Sequence, residues 1–207
     1  MIKTDILKKN LNLTINSKIE KQLLNWEKFF LEYNSHTNLI SKNDTEVLFE
    51  KHVFDSLSIV IWSGFKAHTI LDVGSGGGFP SVILAICFPY IKIFALDSRI
   101  KKINFLNHIK EKLKLDNLEV IYSRVEELDS LGVDLVVSRA VGKTLDIYEL
   151  SKKHLNAKGQ FLIYKAKNYE AELETFKKKY KNAQFEIIPY KLPLKENYNR
   201  NLIILKL

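Results

Sequence analysis

Three glycines at alternate positions, Gly74, Gly76 and Gly78, sit directly behind a short apolar run, Thr69-Ile70-Leu71-Asp72-Val73. No other feature narrows the fold as far. The run is too short for a helix and reads as a buried strand. Pro80 suits the first turn of a helix, where its missing N–H costs nothing, and Ser81 to Phe88 is that helix. Glycines let a backbone approach a ligand closely. Strand, glycine loop and helix in this order form a cradle that parallel α/β sheets use for nucleotide-like ligands. Asp97 ends the next apolar run, about twenty residues on, the distance at which an acid can bond a ribose hydroxyl.

The remaining chain fits such a sheet. Ile91 to Asp97 is a second strand, and Lys101 to Leu115 a helix with Ile103, Leu106, Ile109 and Leu113 on one face. Leu118 to Tyr122, Val133 to Ser138 and Gln160 to Lys165 follow as strands, each expected to be separated by a helical segment. That alternation implies parallel strands with right-handed crossovers. The pattern breaks after a helix from about Tyr169 to Tyr180. Phe185 to Ile188 and Arg200 to Leu207 are two strands with no helix between them, an antiparallel hairpin with a long loop. Residues 1–64 read as an N-terminal helical extension packed on the core, and 65–207 as a Rossmann-like domain, one integrated domain overall. In the extension, Ser17-Lys18-Ile19-Glu20 reads as a capping box with Ser17 as N-cap. Ile19, Leu23, Trp26, Phe30 and Tyr33 form one apolar face, and Tyr33 to Asn43 looks turn-like. Asp44 is expected to cap a second helix carrying Val47, Leu48, His52, Asp55 and Ile59, with Gly64 beyond its end.

A dinucleotide or S-adenosylmethionine could use the glycine loop with Asp97. Two details favour the second. A dinucleotide loop wants glycine or alanine at its third conserved place for close helix packing, and here Phe79 stands there. Asp72 ahead of the first glycine gives the Asp-x-Gly-x-Gly-x-Gly of class I methyltransferases, its carboxylate able to face the cofactor's amino-acid end. An antiparallel strand added to a parallel sheet belongs to that version of the fold too. The acceptor is narrowed by what is missing. Cys87, the single cysteine, lies in the helix after the loop and reads as core rather than as a nucleophile. The fourth strand is followed by Ser138-Arg139-Ala140-Val141, not by the Asn/Asp-Pro-Pro-aromatic of exocyclic-amine methylases. An acceptor with a free lone pair, such as guanine N7, needs neither device.

Taken in order, Asn38-Leu39, His52-x-x-Asp55-Ser56, Asp72 through Pro80, Leu96-Asp97-Ser98, Lys101-Lys102, Phe105-Leu106, Arg124-Val125-Glu126-Glu127 and Ser138-Arg139-Ala140 resemble the ribosomal RNA small subunit methyltransferase G family, the glucose-inhibited division protein B family. The resemblance spans roughly Asn38 to Lys165. It implies a class I S-adenosylmethionine-dependent methyltransferase fold and N7 methylation of one guanine in a 16S rRNA loop near the decoding site. It implies cofactor contacts at Gly74, Phe79, Val125, Glu126 and Arg139, to which the loop reading adds Asp72, Gly76, Gly78 and Asp97. Arg139, at the carboxyl edge of the fourth strand, is the catalytic candidate. The family often has Lys-Arg where this chain has Lys101-Lys102, and Lys-Gly at Lys165-Ala166; lysine holds phosphate as a point charge without bidentate geometry.

A net charge of +8 in 207 residues agrees with a polyanionic partner. Arg124, Lys101, Lys102, Lys165 and Lys167 are the candidates for RNA contact, and the small ribosomal subunit is the expected partner. The histidines show no metal-ligand spacing, so no metal is expected. No apolar run reaches the roughly 20 residues of a membrane span, and Met1 to Asp5 does not open a secretory leader. The chain is expected to be a cytoplasmic monomer. A small-molecule methyltransferase, a nicotinamide oxidoreductase and a non-catalytic RNA-binding module are the rival readings. His52 and Asp55 share a helix face and look like base machinery that an N7 acceptor would not require.

Overall fold

The apolar runs become strands because their side chains alternate between two helical layers. In the computed structural model, which describes residues 1–166, 169–194 and 198–206, Ile70 packs into one apolar cluster and Leu71 and Val73 into the other. Seven strands result: β1 Thr69–Val73, β2 Lys92–Asp97, β3 Leu118–Tyr122, β4 Val133–Arg139, β5 Leu155–Lys165, β6 Gln184–Lys191 and β7 Asn199–Lys206. Their spatial order is β3-β2-β1-β4-β5-β7-β6. The first five are parallel, and β7 runs antiparallel to both β5 and β6. The expected parallel sheet with an antiparallel hairpin is therefore present. β6 forms one edge and carries Pro189, which an edge strand tolerates because a missing N–H there can face solvent.

The helices are α1 Thr4–Leu11, α2 Ser17–Thr37, α3 Lys42–Glu46, α4 Asp55–Leu57, α5 Ser81–Cys87, α6 Ile100–Leu113, α7 Thr144–Ser151 and α8 Glu170–Lys179. A π-helical stretch, Phe49–Phe54, runs into α4, and a 3-10 turn, Ser58–Ile61, leaves it. α1, α2, α5 and α6 bury their apolar faces in one cluster, α7 and α8 in the other. Trp26 and Phe30 of α2 lie 5.7 and 5.4 Å from the Phe79 ring. The bulky residue at the loop's third conserved place is thus a packing partner for the N-terminal layer.

Four local expectations are corrected. Asn16, not Ser17, caps α2 by accepting from the Ile19 N–H, and Glu20 accepts instead from the Thr4 hydroxyl. α2 continues through the stretch read as a turn and ends at Thr37, where Asn38 takes the left-handed conformation. Ser41 rather than Asp44 caps α3; its hydroxyl accepts from the Asp44 N–H and donates to the Asp44 carboxylate. No helix separates β3 from β4, because that connection is pinned by side chains instead: His154 bonds the Val125 carbonyl at 2.9 Å and Lys153 donates to the Glu126 carbonyl at 2.7 Å.

Candidate active site

A cavity of about 660 Å³ opens at the carboxyl ends of β1, β2, β3 and β4, where open α/β sheets place ligands. Leu39, Ile40 and His52 complete its wall from the N-terminal layer. The glycine loop is shaped by the next strand: the N–H groups of Gly74 and Ser75 both donate to the Leu96 carbonyl, at 2.8 and 2.9 Å. Gly74, Gly76 and Gly78 all have positive φ, at 74°, 56° and 81°, yet each is required for a different reason. A Cβ on Gly74 would stand 2.6 Å from Val141, and one on Gly78 2.5 Å from Val82. At Gly76 the nearest atom would be the Gly74 carbonyl at 3.7 Å, so a side chain there would occupy the cavity itself.

The expected cofactor residues divide accordingly. Gly74, Gly76, Phe79, Asp97, Val125, Glu126 and Arg139 line the cavity; Gly78 and Asp72 do not. Gly78 admits the close approach of α5. Asp72 is fully buried and does not line the cavity: one carboxylate oxygen accepts from the Ser81 N–H at the start of α5, and the other has no partner among the described residues. Burial pushes its pKa up to about 6. The loop acid therefore holds the cradle from beneath.

Asp97 is buried, and its oxygens accept from the Gly76 N–H at 3.0 Å and from the Arg99 backbone and guanidinium at 2.9–3.0 Å. Burial raises its pKa, but the Arg99 and Gly76 bonds outweigh this and hold the carboxyl below the usual range. Arg139 does not stand free. Its Nη1 donates to the Lys51 carbonyl at 2.9 Å and to Asp55 at 3.0 Å, its Nη2 lies 2.8 Å from His52 Nδ1, and its guanidinium sits 5.1 Å over the Phe79 ring. Asp55, wholly buried, also accepts from Arg200 and from the Tyr190 hydroxyl. Burial alone would raise the Asp55 pKa; Arg200 and Arg139 instead lower it. His52 is held the other way, burial and the Arg139 charge taking it down to about 3. Burial lifts the Cys87 thiol to about 12, so it is a core group and no nucleophile.

The cationic candidates are not equivalent. Arg124 lines the cavity, is 67% exposed and is loosely paired with Glu126 at 3.8 Å, and Lys101 near the start of α6 is exposed. Lys102 lines the cavity, but its Nζ donates to the Leu39 carbonyl and burial lowers its pKa. Lys165 is corrected: it is 14% exposed and spent on Glu172 at 2.7 Å, which also accepts from Thr144 and so ties α8 to α7. Lys167 lies outside the described residues. Sequence reading missed Arg99, Tyr190, His154 and Arg200. Arg99 carried a local clue in its place two residues after Asp97; the others act on groups dozens of residues away.

The strand order, the glycine cradle with Gly76 opening into the cavity, and an acid at the end of β2 together define a class I S-adenosylmethionine-dependent methyltransferase. Solved structures agree on the fold: a SAM-dependent methyltransferase of Aquifex aeolicus superposes with a TM-score of 0.60 at 17% identity, over 81% of this chain and 100% of that one. TYW2 of M. jannaschii in complex with AdoMet gives 0.55 at 15% identity over 74% of both chains. Residues 19–203 match the family model described as rRNA small subunit methyltransferase G. The ribosomal RNA small subunit methyltransferases G of Mycoplasma capricolum and Lysinibacillus sphaericus are each 34% identical, covering 86% of this chain and 78% and 80% of their own lengths. The chain belongs to the rRNA small subunit methyltransferase G family, as the ordered motifs implied.

Proposed function

We propose that this chain transfers a methyl group from S-adenosylmethionine to N7 of one guanine in the 16S rRNA of the small ribosomal subunit, in the decoding region. The observation that carries the acceptor is the chemistry of the cavity wall. The histidine in it is held neutral, with a pKa near 3 and its Nδ1 turned onto Arg139, so it is a poor proton acceptor at neutral pH. Cys87 is closed off by burial. A cavity of this kind suits an acceptor whose attacking atom has an in-plane lone pair and no proton to lose.

When bound, S-adenosylmethionine supplies an electrophilic methyl group on a sulfonium sulfur. The work left to the chain is alignment. Gly74 and Gly76 allow close backbone approach, Asp97 offers its carboxylate to ribose hydroxyls, and Phe79, Val125, Glu126 and Arg139 complete the walls. Asp72 and Gly78 support the loop rather than touch the ligand. Arg124 at the cavity and the exposed Lys101 of α6 are the cations left for RNA phosphates. Among the described residues no cluster of His, Cys, Asp or Glu is arranged to hold a metal, and no helix is long and apolar enough to cross a membrane. We propose a single integrated domain that acts as a monomer in the cytoplasm, without a metal.

The test is to incubate the chain with labelled S-adenosylmethionine and unmodified small subunits, then map the label. Label on one guanine of 16S rRNA, in a nucleotide whose imidazole ring opens under mild base as that of N7-methylguanine does, is expected. Label on an exocyclic amine, a ribose or a protein would refute the assignment.

A further inference from the structure

An acid that is to take ribose hydroxyls needs free lone pairs, and Asp97 has none to spare. Its Oδ1 accepts from the Arg99 backbone N–H at 2.9 Å and from Arg99 Nε at 3.0 Å. Its Oδ2 accepts from the Gly76 N–H and from Arg99 Nη2, both at 3.0 Å. A carboxylate offers about four lone-pair sites, and all four are taken. The side chain lines the cavity but is only 2% exposed. A ribose hydroxyl can reach it only when one of these donors leaves.

Two of the donors are held by backbone. The Gly76 N–H belongs to the loop whose Gly74 and Ser75 N–H groups are fixed on the Leu96 carbonyl. The Arg99 N–H belongs to the residue ahead of α6, whose carbonyl accepts from the Lys102 and Ile103 N–H groups. The guanidinium is different. It ends a long side chain that is 63% exposed, and among the described residues it bonds to Asp97 alone. It lines the cavity, and a Cβ on Gly76, where the loop opens to a ligand, would stand 3.9 Å from its Nη2. Its Nε and Nη2 present two parallel N–H donors to the two carboxylate oxygens. A ribose presents two donors side by side in the same way, its 2′ and 3′ hydroxyls.

We infer that Arg99 is an internal competitor for the ribose subsite: its guanidinium holds the place of the ribose diol on Asp97 and swings out to solvent when S-adenosylmethionine binds. Arg99 thereby sets the affinity for the cofactor and, since the product keeps the same ribose, for S-adenosylhomocysteine as well. The inference rests on the assignment of Asp97 to the ribose made above.

Calorimetry with S-adenosylhomocysteine tests it, because this ligand lacks the sulfonium charge that an arginine would repel. Arg99→Met removes the two donors and keeps much of the side chain's length. It should bind S-adenosylhomocysteine about fivefold more tightly than wild type, the upper worth of an exposed ion pair. The 2′,3′-dideoxy analogue of S-adenosylhomocysteine has no hydroxyls with which to contest Asp97, and it should bind both proteins alike. A gain below about twofold for S-adenosylhomocysteine, or a loss, overturns the competition. Equal gains for the two ligands also overturn it, because Arg99 would then only crowd the cavity. The assignment of Asp97 is judged separately, in the Arg99→Met protein, where no competitor remains. Adding Asp97→Ala there should weaken S-adenosylhomocysteine binding at least tenfold, the usual loss of a hydrogen bond to a charged group. If that loss is seen and Arg99→Met gave no gain, the competition falls and the ribose contact stands; if it is not seen, both fall.

Discussion

On one wall of the cavity the glycine loop is tied to Asp97 by a bond that spans 21 residues; on another, Arg139 and Arg200 reach Asp55 across 84 and 145 residues. The first wall is made almost wholly of backbone. Its shape follows from positive φ at three glycines and from two N–H groups sharing one carbonyl. The second is made of side chains, and it buries one carboxylate between two guanidiniums. Backbone walls confer shape at little electrostatic cost, whereas buried charges hold position only while every partner is present. Damage to the first should therefore appear in ligand affinity, and damage to the second in stability and alignment.

The sharpest separation should come from Gly76→Val. A side chain there fills ligand space, and calorimetry on the folded protein should detect no S-adenosylmethionine binding, while the left-handed φ of 56° costs valine about 1–3 kcal/mol in urea unfolding; unchanged affinity would remove this loop from the site. Asp55→Ala is the counterpart. Two part-buried arginines lose their shared, wholly buried partner, and stability should drop by about 3 kcal/mol, read by urea unfolding, with S-adenosylmethionine affinity of the folded fraction reduced far less. If affinity fell as steeply as stability, the two walls would not be separable.

Asp72 tests the backbone wall from beneath. Its folded pKa of about 6 exceeds the ordinary 3.8. The protonated form is thus favoured in the native state, and the associated stability is complete below pH 4 and lost as pH rises through 6. At pH 8 the buried charge costs roughly 3 kcal/mol. Asp72→Asn should recover much of this at pH 8 and none at pH 3.5; parallel stability curves for the two proteins would show that the charge is not felt. Asp97→Ala should weaken S-adenosylmethionine binding by about 1–3 kcal/mol, and an undetectable change would place the ribose elsewhere. The smallest effect is expected for Lys165→Gln. It should cost about 1 kcal/mol of stability through the lost Glu172 pair and leave the salt dependence of subunit binding unaltered. Arg124→Gln should reduce that dependence by about one counterion.

The same contrast explains how far the sequence could be read. Strand periodicity, the loop and Asp97 are local patterns, and they placed β1, β2, β3 and α6 within a residue or two. α2 ran past its expected end because the Ser35 and Thr37 hydroxyls bond back to the Glu32 and Tyr33 carbonyls, a choice that polarity alone does not reveal. The motif fixes the position of Asp72 and leaves its direction open; only the packed start of α5, where the Ser81 N–H donates to it, sets that. Lys165 looked available because Glu172, its partner, sits on a helix whose docking no local pattern records. His52 and Asp55 stood out as a pair, but what they do depends on Arg139, Tyr190 and Arg200, brought together by sheet order.

That order has a consequence for synthesis. β7 lies between β5 and β6, so two strands made earlier must wait for the last one before either completes its pairing. While residues 199–206 are still inside the ribosomal tunnel, β5 presents a bare hydrogen-bonding edge, and bare edges recruit other strands. Arg200 arrives on the same segment. The free edge of β5 is therefore covered and Asp55 gains Arg200 in one closing event, and a chain stopped before Asn199 is expected to sediment as aggregates and not as an inactive monomer.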